Sequence, residues 1–355
     1  MTGERSSAEG ARGPMAERQR GPSRDRAEIC APAGRKQPGI AVVEACSTLA
    51  TVQDGGRPGF GHLGVPRAGA ADPYALALAN ALVGNRRHAP ALEVAPGRFA
   101  LRLLSDAVIA LTGAARDAHL DGRPVAVGTS VFVPAGALLS LGAVRGGLWT
   151  YLGLGGGICC DPVLGSCSGD TLSGLGPPPL ATGRQVPFGG GGTPGMWAYR
   201  GAPGVCGRDL GARRLTVRVT PGPHVFRFDD PVLAALVAHV WTVGRGSDRT
   251  GLRLEGPPLP FDQDLRQGRL EAVGMVPGAI QVTPGGQPIL LGVNHGTTGG
   301  YPVVAVVCVA DLGLAAQSPP GSALRFGLIT REAASTELRR RMATERIIEL
   351  EALCR

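Results

Sequence analysis

Lysine is almost absent from this chain, whose 355 residues contain a single one, Lys36. A P-loop needs a lysine after its glycines, a Schiff-base enzyme needs a buried lysine, and a biotin or lipoyl carrier needs a lysine to acylate. The part of the chain that follows Lys36 therefore performs none of these reactions with its own side chains.

Aromatic residues are also scarce, at 4% of the chain, and the arginines are dispersed rather than clustered. Nucleic-acid binding relies on basic patches and, for single strands, on aromatic stacking platforms. The net charge of +8 and the pI near 9.4 therefore indicate a solvated, arginine-rich surface. We expect no nucleic-acid partner.

Long apolar runs and paired cysteine motifs are missing as well. No stretch reaches the roughly 20 apolar residues that cross a bilayer, and the N-terminus lacks the apolar segment of a secretory signal. The cysteines form no CxxC pair; they are Cys30, Cys46, Cys159, Cys160, Cys167, Cys206, Cys308 and Cys354. We expect a soluble cytoplasmic protein with reduced thiols, no metal site and no membrane contact.

Glycine and proline are abundant, with 56 and 30 residues between valine- and leucine-rich segments. This composition favours short strands and tight turns, so a mainly β fold is predicted. Residues 1–38 are predicted to form a disordered extension, and residues 331–355 a terminal helix. Between them, periodicity predicts a helix at 70–83 and strands at 40–52, 99–104, 108–111, 129–133, 138–141, 148–154 and 215–219.

The most informative segment is a polar loop at 51–72, in which six glycines alternate with Asp54, Arg57, His62 and Asp72. Glycine permits backbone conformations that other residues avoid, so this loop is suited to present polar groups. A weak internal repeat aligns 57–64 with 249–256, each downstream of a Thr-Val pair. This repeat predicts two similar subdomains.

Further motifs follow the loop in a fixed order, at 78–85, 91–93, 111–114, 151–158, 162–166, 247–257, 278–288 and 297–302. Over residues 42–330 the chain closely resembles the KipA family, also called allophanate hydrolase subunit 2 or the carboxyltransferase subdomain A and B family. The resemblance implies two cyclophilin-like β-barrel subdomains, at 39–205 and 206–330, with a few short helices and the C-terminal helix. Val273 departs from the family where an acid is common, and Cys167 where arginine is frequent.

The resemblance implies that the protein is a subunit of an ATP-dependent 5-oxoprolinase-type amidohydrolase, which converts 5-oxoproline to glutamate. Its partners would be a KipI-like protein and a LamB/YcsF-like protein, and its ligand a small amide or carboxylate. No phosphate-binding motif is visible, so ATP would be bound by the partner or shared with it. Two alternatives stay open: a carboxyltransferase that uses biotin carried in trans, and a non-catalytic KipA-type regulatory subunit.

Carboxyl transfer and amide activation both develop negative charge on oxygen, which guanidinium groups stabilise. We therefore predict Arg57 and Arg249 as catalytic donors, with Asp54, Asp72 and Asp248 as their partners. The alternative is that each arginine and its carboxylate form a buried ion pair that holds a loop closed. Glu93 is interpreted as a buried partner for Arg57.

The predicted substrate-binding residues lie mostly in the second half of the chain. They are Asp72, Gln281, Gln287, His295, Thr297 and Thr298. Gln281 alternatively caps a strand edge, and the segment around His295 is alternatively a turn without a ligand. The sequence 165–169 imitates a nucleophile turn around Cys167, but the residues that follow predict no helix, so a structural cysteine is favoured.

Overall fold

The computed structural model describes residues 38–190, 215–227, 231–260 and 270–353, with side chains given as far as residue 343. The predicted extension at 1–38 lies outside the described residues except for its last position. The boundary predicted between residues 205 and 206 also lies outside them. In the described part of the chain, no helix is both long enough and apolar enough to span a bilayer.

The described residues contain eighteen strands. They are β1 Gly39–Cys46, β2 Ala50–Gln53, β3 Ala91–Val94, β4 Phe99–Leu103, β5 Ala107–Leu120, β6 Arg123–Pro124, β7 Ser130–Val133, β8 Leu138–Leu154, β9 Gln185–Phe188, β10 Leu215–Pro221, β11 Trp241–Val243, β12 Gly251–Glu255, β13 Val273–Gly274, β14 Ala279–Val282, β15 Pro288–Leu291, β16 Thr298–Gly299, β17 Val303–Val307 and β18 Ala323–Leu328. The α-helices in the same residues are α1 Pro73–Leu82, α2 Val232–Ala238, α3 Leu312–Ala316 and α4 Arg331–Leu353.

The strands before residue 190 form a single nine-stranded sheet, which with α1 we call the sheet unit. Its neighbours run β2, β3, β8, β4, β1 and β9, while β5 pairs with β6, β7 and β8. Strand β8 is continuous where two separate strands were predicted. The residues between the predicted strands stay paired with β5, because three shifts of register between Gly113 and Ala118 absorb the irregularity.

The later strands form a closed barrel, which we call the barrel unit. Its order is β10, β17, β14, β15, β12, β11 and β18, and the parallel pairing of β10 with β18 closes it. Fully buried Trp241, Val219 and Leu324 lie in its core. The mainly β, two-unit fold is confirmed, with a C-terminal helix. Among the described residues, the later strands close into a barrel, whereas the earlier strands form a half-barrel sheet.

The two aligned segments of the internal repeat have different local structures, and only their arginines occupy comparable positions. Residues 57–64 form turns and a short 3-10 helix at Gly61–Leu63, whereas residues 251–255 form strand β12. Both arginines nevertheless lie in loops that leave a short strand, β2 or β11. The alignment therefore identified two comparable loops whose local structures differ after the arginines.

The two units meet beside α1. Ala71, Leu76, Trp149 and Tyr151 of the sheet unit form one apolar cluster with Val293 and Ala316 from the other side of the contact. This contact places the loops at 54–72, 166–170 and 248–250 close together, and the candidate site lies among them.

Candidate functional site

The polar loop at 51–72 is folded inward rather than outward. Its ends are held by hydrogen bonds from Ala70 N to Asp54 O at 3.1 Å and from Arg57 N to Arg67 O at 2.7 Å. Gly56 has φ of 77°, and a Cβ there would lie 2.7 Å from the carbonyl oxygens of Arg67 and Ala68. Only glycine permits this closure, which buries Asp54 and Arg57 and leaves His62 exposed.

Asp54 is fixed by four donors. Its Oδ1 accepts from Gly56 N at 2.8 Å and from the hydroxyls of Ser166 and Ser168 at 2.6 Å each, and its Oδ2 accepts from Cys167 N at 2.7 Å. Hydrogen bonds to a carboxylate are short and strong, so four of them hold the group in one position. Asp54 is therefore a fixed carboxylate beside Arg57.

Arg57 is 1% exposed and donates to the backbone oxygens of Ser168 and Val163. Burial lowers the pKa of its guanidinium, while attraction to Asp170 and Asp54 raises it in part. Its Nη1 is buried without a hydrogen-bond partner. The predicted pairing of Arg57 with Asp54 is therefore an attraction between their charges. Both side chains also form hydrogen bonds with Ser168.

Arg249 crosses from the barrel unit into the sheet unit. Its Nη1 forms an ion pair with Glu93 Oε1, and its Nη2 donates to Gly69 O at 2.5 Å and to Asn294 Oδ1 at 3.2 Å. The guanidinium carbon lies 5.7 Å from the centre of the Trp149 ring. Glu93 thus pairs with Arg249, and its predicted pairing with Arg57 is wrong.

Asn294 connects the two arginine sites. It accepts from Arg249 and donates through Nδ2 to Asp170 Oδ1 at 2.7 Å, and Asp170 in turn attracts Arg57. A continuous polar chain therefore crosses the contact between the units. We call it the bridging network; its members are Asp54, Arg57, Asp170, Asn294, Arg249 and Glu93, each between 0% and 8% exposed.

Tyr151 extends the network on the side of the sheet unit. Its hydroxyl donates to Glu93 Oε2 at 2.6 Å and accepts from Asp72 N at 2.7 Å, and Ala71 N also donates to Glu93 Oε2, at 2.8 Å. Burial, followed by the charge of Glu93, raises the pKa of Tyr151 well above its ordinary value. Tyr151 is therefore a neutral hydrogen-bond donor that orients Glu93.

Asp72 does not pair with either arginine, contrary to its predicted role as their partner. Its Oδ1 accepts from Ala75 N at 3.1 Å and so caps α1, and its Oδ2 accepts from Gln317 Nε2 at 3.1 Å. An aspartate before a proline at the first helical position is a strong start signal, which explains this role. Asp72 joins the units through Gln317.

Asp248 also lacks an ion pair with its predicted partner Arg249. It is exposed, and its Oδ1 accepts from Thr250 N at 2.7 Å and Gly251 N at 3.3 Å, which closes a local turn. Short polar side chains commonly form such turns with the residues that follow them. Asp248 nevertheless lies at the edge of a cavity that Arg249 also lines.

This cavity lies between the units and is almost entirely apolar. Its volume is about 40 Å³, and Trp149, Leu148, Leu252, Leu291 and Pro277 are among its lining residues. That volume holds only a few water molecules, since one needs roughly 10–15 Å³. In the present conformation it is a slot beside Arg249 rather than a complete substrate pocket.

The predicted substrate-binding residues of the barrel unit separate into two groups. Gln281 donates to Tyr301 O at 3.1 Å, against the ribbon of β13 and β16 that contains the exposed Thr298. The carbonyl of the half-buried Thr297 accepts from Met275 N at 2.9 Å. The structure therefore brings Gln281, Thr297 and Thr298 to one ribbon.

Gln287 lies apart from this group. Its Nε2 donates to Gly256 O at 3.2 Å, beyond the far end of β12, whereas Arg249 precedes that strand. Five strand residues at about 3.4 Å each separate the two positions by roughly 17 Å. The structure thus does not bring Gln287 to the bridging network.

His295 follows Asn294 directly and is 4% exposed. Its Nδ1 lies 2.6 Å from Gly296 O, so the neutral ring donates there. Burial lowers the pKa of His295, and this hydrogen bond raises it by less. A buried neutral imidazole suits a proton acceptor at neutral pH.

A disulfide joins Cys160 and Cys167, across a sequence separation of 7 residues. The expectation that all thiols are reduced is therefore wrong for this pair, because the turn between them returns the chain on itself. Cys46 and Cys308 are free thiols among the described residues. The disulfide closes a loop whose last two residues, Ser166 and Cys167, donate hydrogen bonds to Asp54.

Sequence reasoning missed three members of the site. Asp170 and Asn294 were not selected, and Glu93 was assigned to the wrong arginine. Asp170 stands at the end of a Gly-Ser-Cys-Ser-Gly motif and Asn294 within an unusual Val-Asn-His-Gly segment. Polar residues at these positions were the available signal, but their pairing depends on the contact between the units.

Comparisons with known proteins give a consistent result. A family model described as carboxyltransferase domain, subdomain A and B, matches residues 63–328. The C subunit of 5-oxoprolinase from Escherichia coli (strain K12) is 39% identical over 279 residues, which cover 78% of this chain and 87% of that protein. The same subunit from Haemophilus influenzae is 33% identical, covering 82% and 92%. The crystal structure of the K. lactis urea amidolyase superposes with a TM-score of 0.77 at 26% identity, over 89% of this chain and 20% of that one.

Proposed function

Because this chain belongs to the family of carboxyltransferase subdomain A and B proteins, we propose that it is one subunit of an ATP-dependent 5-oxoprolinase that opens 5-oxoproline to glutamate. The observation that carries the proposal is the similarity to the Escherichia coli protein over nearly its whole length. The enzyme would thus be a hydrolase of a cyclic amide bond, and this chain one of its subunits.

The chemistry of the bridging network supports a role in amide activation. Opening a cyclic amide develops negative charge on the carbonyl oxygen, which N–H donors in a dry site stabilise. Within the bridging network, two buried guanidinium nitrogens, Arg57 Nη1 and Arg249 Nε, have no hydrogen-bond partner. Since a buried donor without a partner is costly, these groups are suited to a ligand oxygen.

Arg249 is the better placed of the two arginines. It lines the cavity, together with the carboxylate of Asp248 at its edge. The cavity must widen to admit a five-membered ring with a carboxylate, so substrate binding would involve a small separation of the two units. His295, Thr297 and Thr298 belong to the same proposed site from the side of the barrel unit, with His295 as proton acceptor.

The described residues do not fit ATP at this site. The cavity is too small and too apolar for a triphosphate, and no glycine-rich loop followed by lysine exists in the sequence. We therefore place the nucleotide on the KipI-like partner or at its interface with this chain, and we assign no step to it. The LamB/YcsF-like protein would be the third subunit.

Reconstitution tests the proposal. The purified chain, with its KipI-like and LamB/YcsF-like partners, is expected to hydrolyse ATP only when 5-oxoproline is present, and to release glutamate. The double variant Arg249→Met with Glu93→Gln, in which neither charge remains unpaired, should lose turnover while the complex still assembles. A loss of assembly with intact turnover would support the regulatory role, and no 5-oxoproline-dependent hydrolysis would refute the assignment.

The similarity to the urea amidolyase favours one alternative, a carboxyltransferase that receives its carboxyl group from biotin on another protein. This chain spans only a fifth of that enzyme. Transfer of label from a carboxylated biotin carrier to a small amide, without 5-oxoproline, would support this alternative.

A further inference from the structure

The disulfide Cys160–Cys167 closes a loop of the sheet unit. Within it, Val163 pairs with Ser166 in a tight turn whose tip, Leu164, has φ of 51° and is exposed. No helix or named strand lies between the end of β8 at Leu154 and the start of β9 at Gln185. The disulfide is therefore the covalent restraint on this irregular segment.

Residues 163–168 provide most of the contacts that hold Asp54 and Arg57. Six hydrogen bonds link them: four between Asp54 and the segment 166–168, and two from Arg57 to the carbonyls of Val163 and Ser168. One of the four uses the backbone N–H of Cys167 itself. A change at the disulfide thus reaches the bridging network through direct contacts.

We propose that Cys160 and Cys167 form a reversible redox modification site that sets the position of Asp54 and Arg57. In the oxidised form the loop is closed and the donors to Asp54 are in place. In the reduced form the loop gains conformational freedom, so Asp54 loses donors and the arginine loses its fixed neighbours. The inference concerns the site of the proposed function and rests on that function only for its activity measurement.

The chemical step requires a thiol reductant, and a dithiol is sufficient. Its thiolate attacks the sulfur of the half-buried Cys160, the Sγ–Sγ bond breaks, and Cys167 leaves and takes up a proton. The second thiol of the reductant then releases Cys160 as a thiol and closes the reductant's own disulfide. Two electrons and two protons pass to the protein.

Hydrogen exchange on the full-length chain tests the structural part. Protein purified without reductant is compared before and after dithiothreitol, and alkylation with mass spectrometry reports the state of each cysteine. Opening the bond should accelerate exchange in the peptide containing 163–169 and at Gly56 by about tenfold or more. If the bond opens and exchange changes by less than about twofold, or if Cys160 and Cys167 remain free thiols even after oxidation with diamide, the proposal fails.

Variants separate this pair from the other thiols. Cys160→Ser should show the fast exchange of the reduced protein and no response to dithiothreitol. Cys159→Ser, which changes the cysteine adjacent to the pair, should keep the full response. Loss of the response in Cys159→Ser would contradict the assignment of the pair.

Activity of the reconstituted complex gives the functional part. The oxidised chain should turn over at least severalfold faster than the reduced chain or Cys160→Ser, whereas Cys159→Ser should match the parent in both states. Equal turnover in both redox states would refute control of the site. If neither state is active, the proposed function fails, while the exchange measurement still decides whether the disulfide positions Asp54.

Discussion

Asn294 of the barrel unit donates a hydrogen bond to Asp170 of the sheet unit, with 2.7 Å between Nδ2 and Oδ1. The same amide accepts from Arg249. These two bonds connect carboxylates and guanidiniums that belong to different units, so the site depends on the docking of the barrel unit against the sheet unit. The consequences can be measured as stability and as activity.

Replacing Arg249 should be strongly destabilising. In Arg249→Met the buried carboxylate of Glu93 loses its partner, and removal of one member of a buried ion pair costs roughly 3–5 kcal/mol. Urea denaturation of the variant and parent gives the difference in free energy of unfolding. Adding Glu93→Gln should recover most of the loss, because no charge then remains unpaired.

An exposed ion pair is the control for this prediction. Arg102 and Glu44 are 37% and 42% exposed, so Arg102→Met should cost at most about 1 kcal/mol. If Arg249→Met and Arg102→Met lower the free energy of unfolding by similar amounts, the buried pair does not have the importance assigned to it.

Gly313 in α3 should not tolerate a methyl group. Its Cβ would lie 2.4 Å from Asp72 Oδ1, which caps α1. Although alanine is favoured over glycine in helices by about 1 kcal/mol, we expect Gly313→Ala to destabilise the fold by roughly 1–2 kcal/mol through the lost cap. Thermal unfolding measures the effect.

Gly274 offers the matched comparison, since no atom lies within 4 Å of a Cβ built there. Gly274→Ala should therefore leave the midpoint of unfolding nearly unchanged. A Gly313→Ala protein that is as stable as Gly274→Ala would show that Asp72 has room to move.

His295 should make stability depend on pH. Because burial lowers its pKa in the folded state, the unfolded chain binds a proton more readily once the pH falls below about 6.5. The contribution of His295 to the free energy of unfolding is thus complete above that pH. It is lost as the pH falls through the lower folded-state pKa. Free energies of unfolding between pH 7.5 and 5 should fall less steeply for His295→Gln than for the parent.

His62 is exposed in the loop at 51–72, and His62→Gln is the matched control for a histidine-to-glutamine substitution. Identical slopes for His295→Gln and the parent would mean that the ring binds protons equally in the folded and unfolded states, which would contradict a pKa lowered by burial.

Arg116 is predicted to stabilise the sheet unit rather than the site. It is 5% exposed, and its Nη2 donates to Gly97 O at 2.6 Å and Gly142 O at 2.7 Å. Burial lowers its pKa to about 10. Arg116→Met keeps the aliphatic stem but leaves both carbonyls without this donor, so a loss of roughly 1–3 kcal/mol in denaturant unfolding is expected.

Arg145 allows a matched substitution, because its side chain is 73% exposed in its pair with Asp117. Arg145→Met should change the free energy of unfolding by no more than about 1 kcal/mol. Turnover of the reconstituted complex should be unaffected by Arg145→Met.

The sequence predicted local features better than pairings. The valine- and leucine-rich segments predicted β1, β4, β5, β7, β8 and β10, and the polar loop identified Asp54 and Arg57 as special. The single strand predicted at 40–52 is two strands, and the barrel strands after β10 were not located. The partner of Arg249 was not predictable, because Glu93 is 156 positions away and becomes its neighbour only when the two units dock. Asp72 was assigned to charge pairing although its position before Pro73 is a helix start, a local signal that competed with the expected chemistry.

The disulfide was missed for a related reason. A spacing of seven residues matches no metal or redox motif, and only the tight turn at 163–166 brings the two cysteines together. Gln287 was selected for its side-chain chemistry, while the direction of β12 placed it at the opposite end of the barrel. Side-chain type was thus informative, and strand direction decided which residues share a site.

The ion pair between Glu93 and Arg249 restricts how this protein changes over generations. Glu93 lies in the sheet unit and Arg249 in the barrel unit. Replacing either residue alone leaves the buried charge of the other without a partner. A lineage can exchange the pair for a neutral one only through an unstable intermediate or by two nearly simultaneous substitutions. The two halves of the chain are therefore expected to vary together at these positions, and a half transplanted from a divergent relative should dock poorly unless both positions are matched.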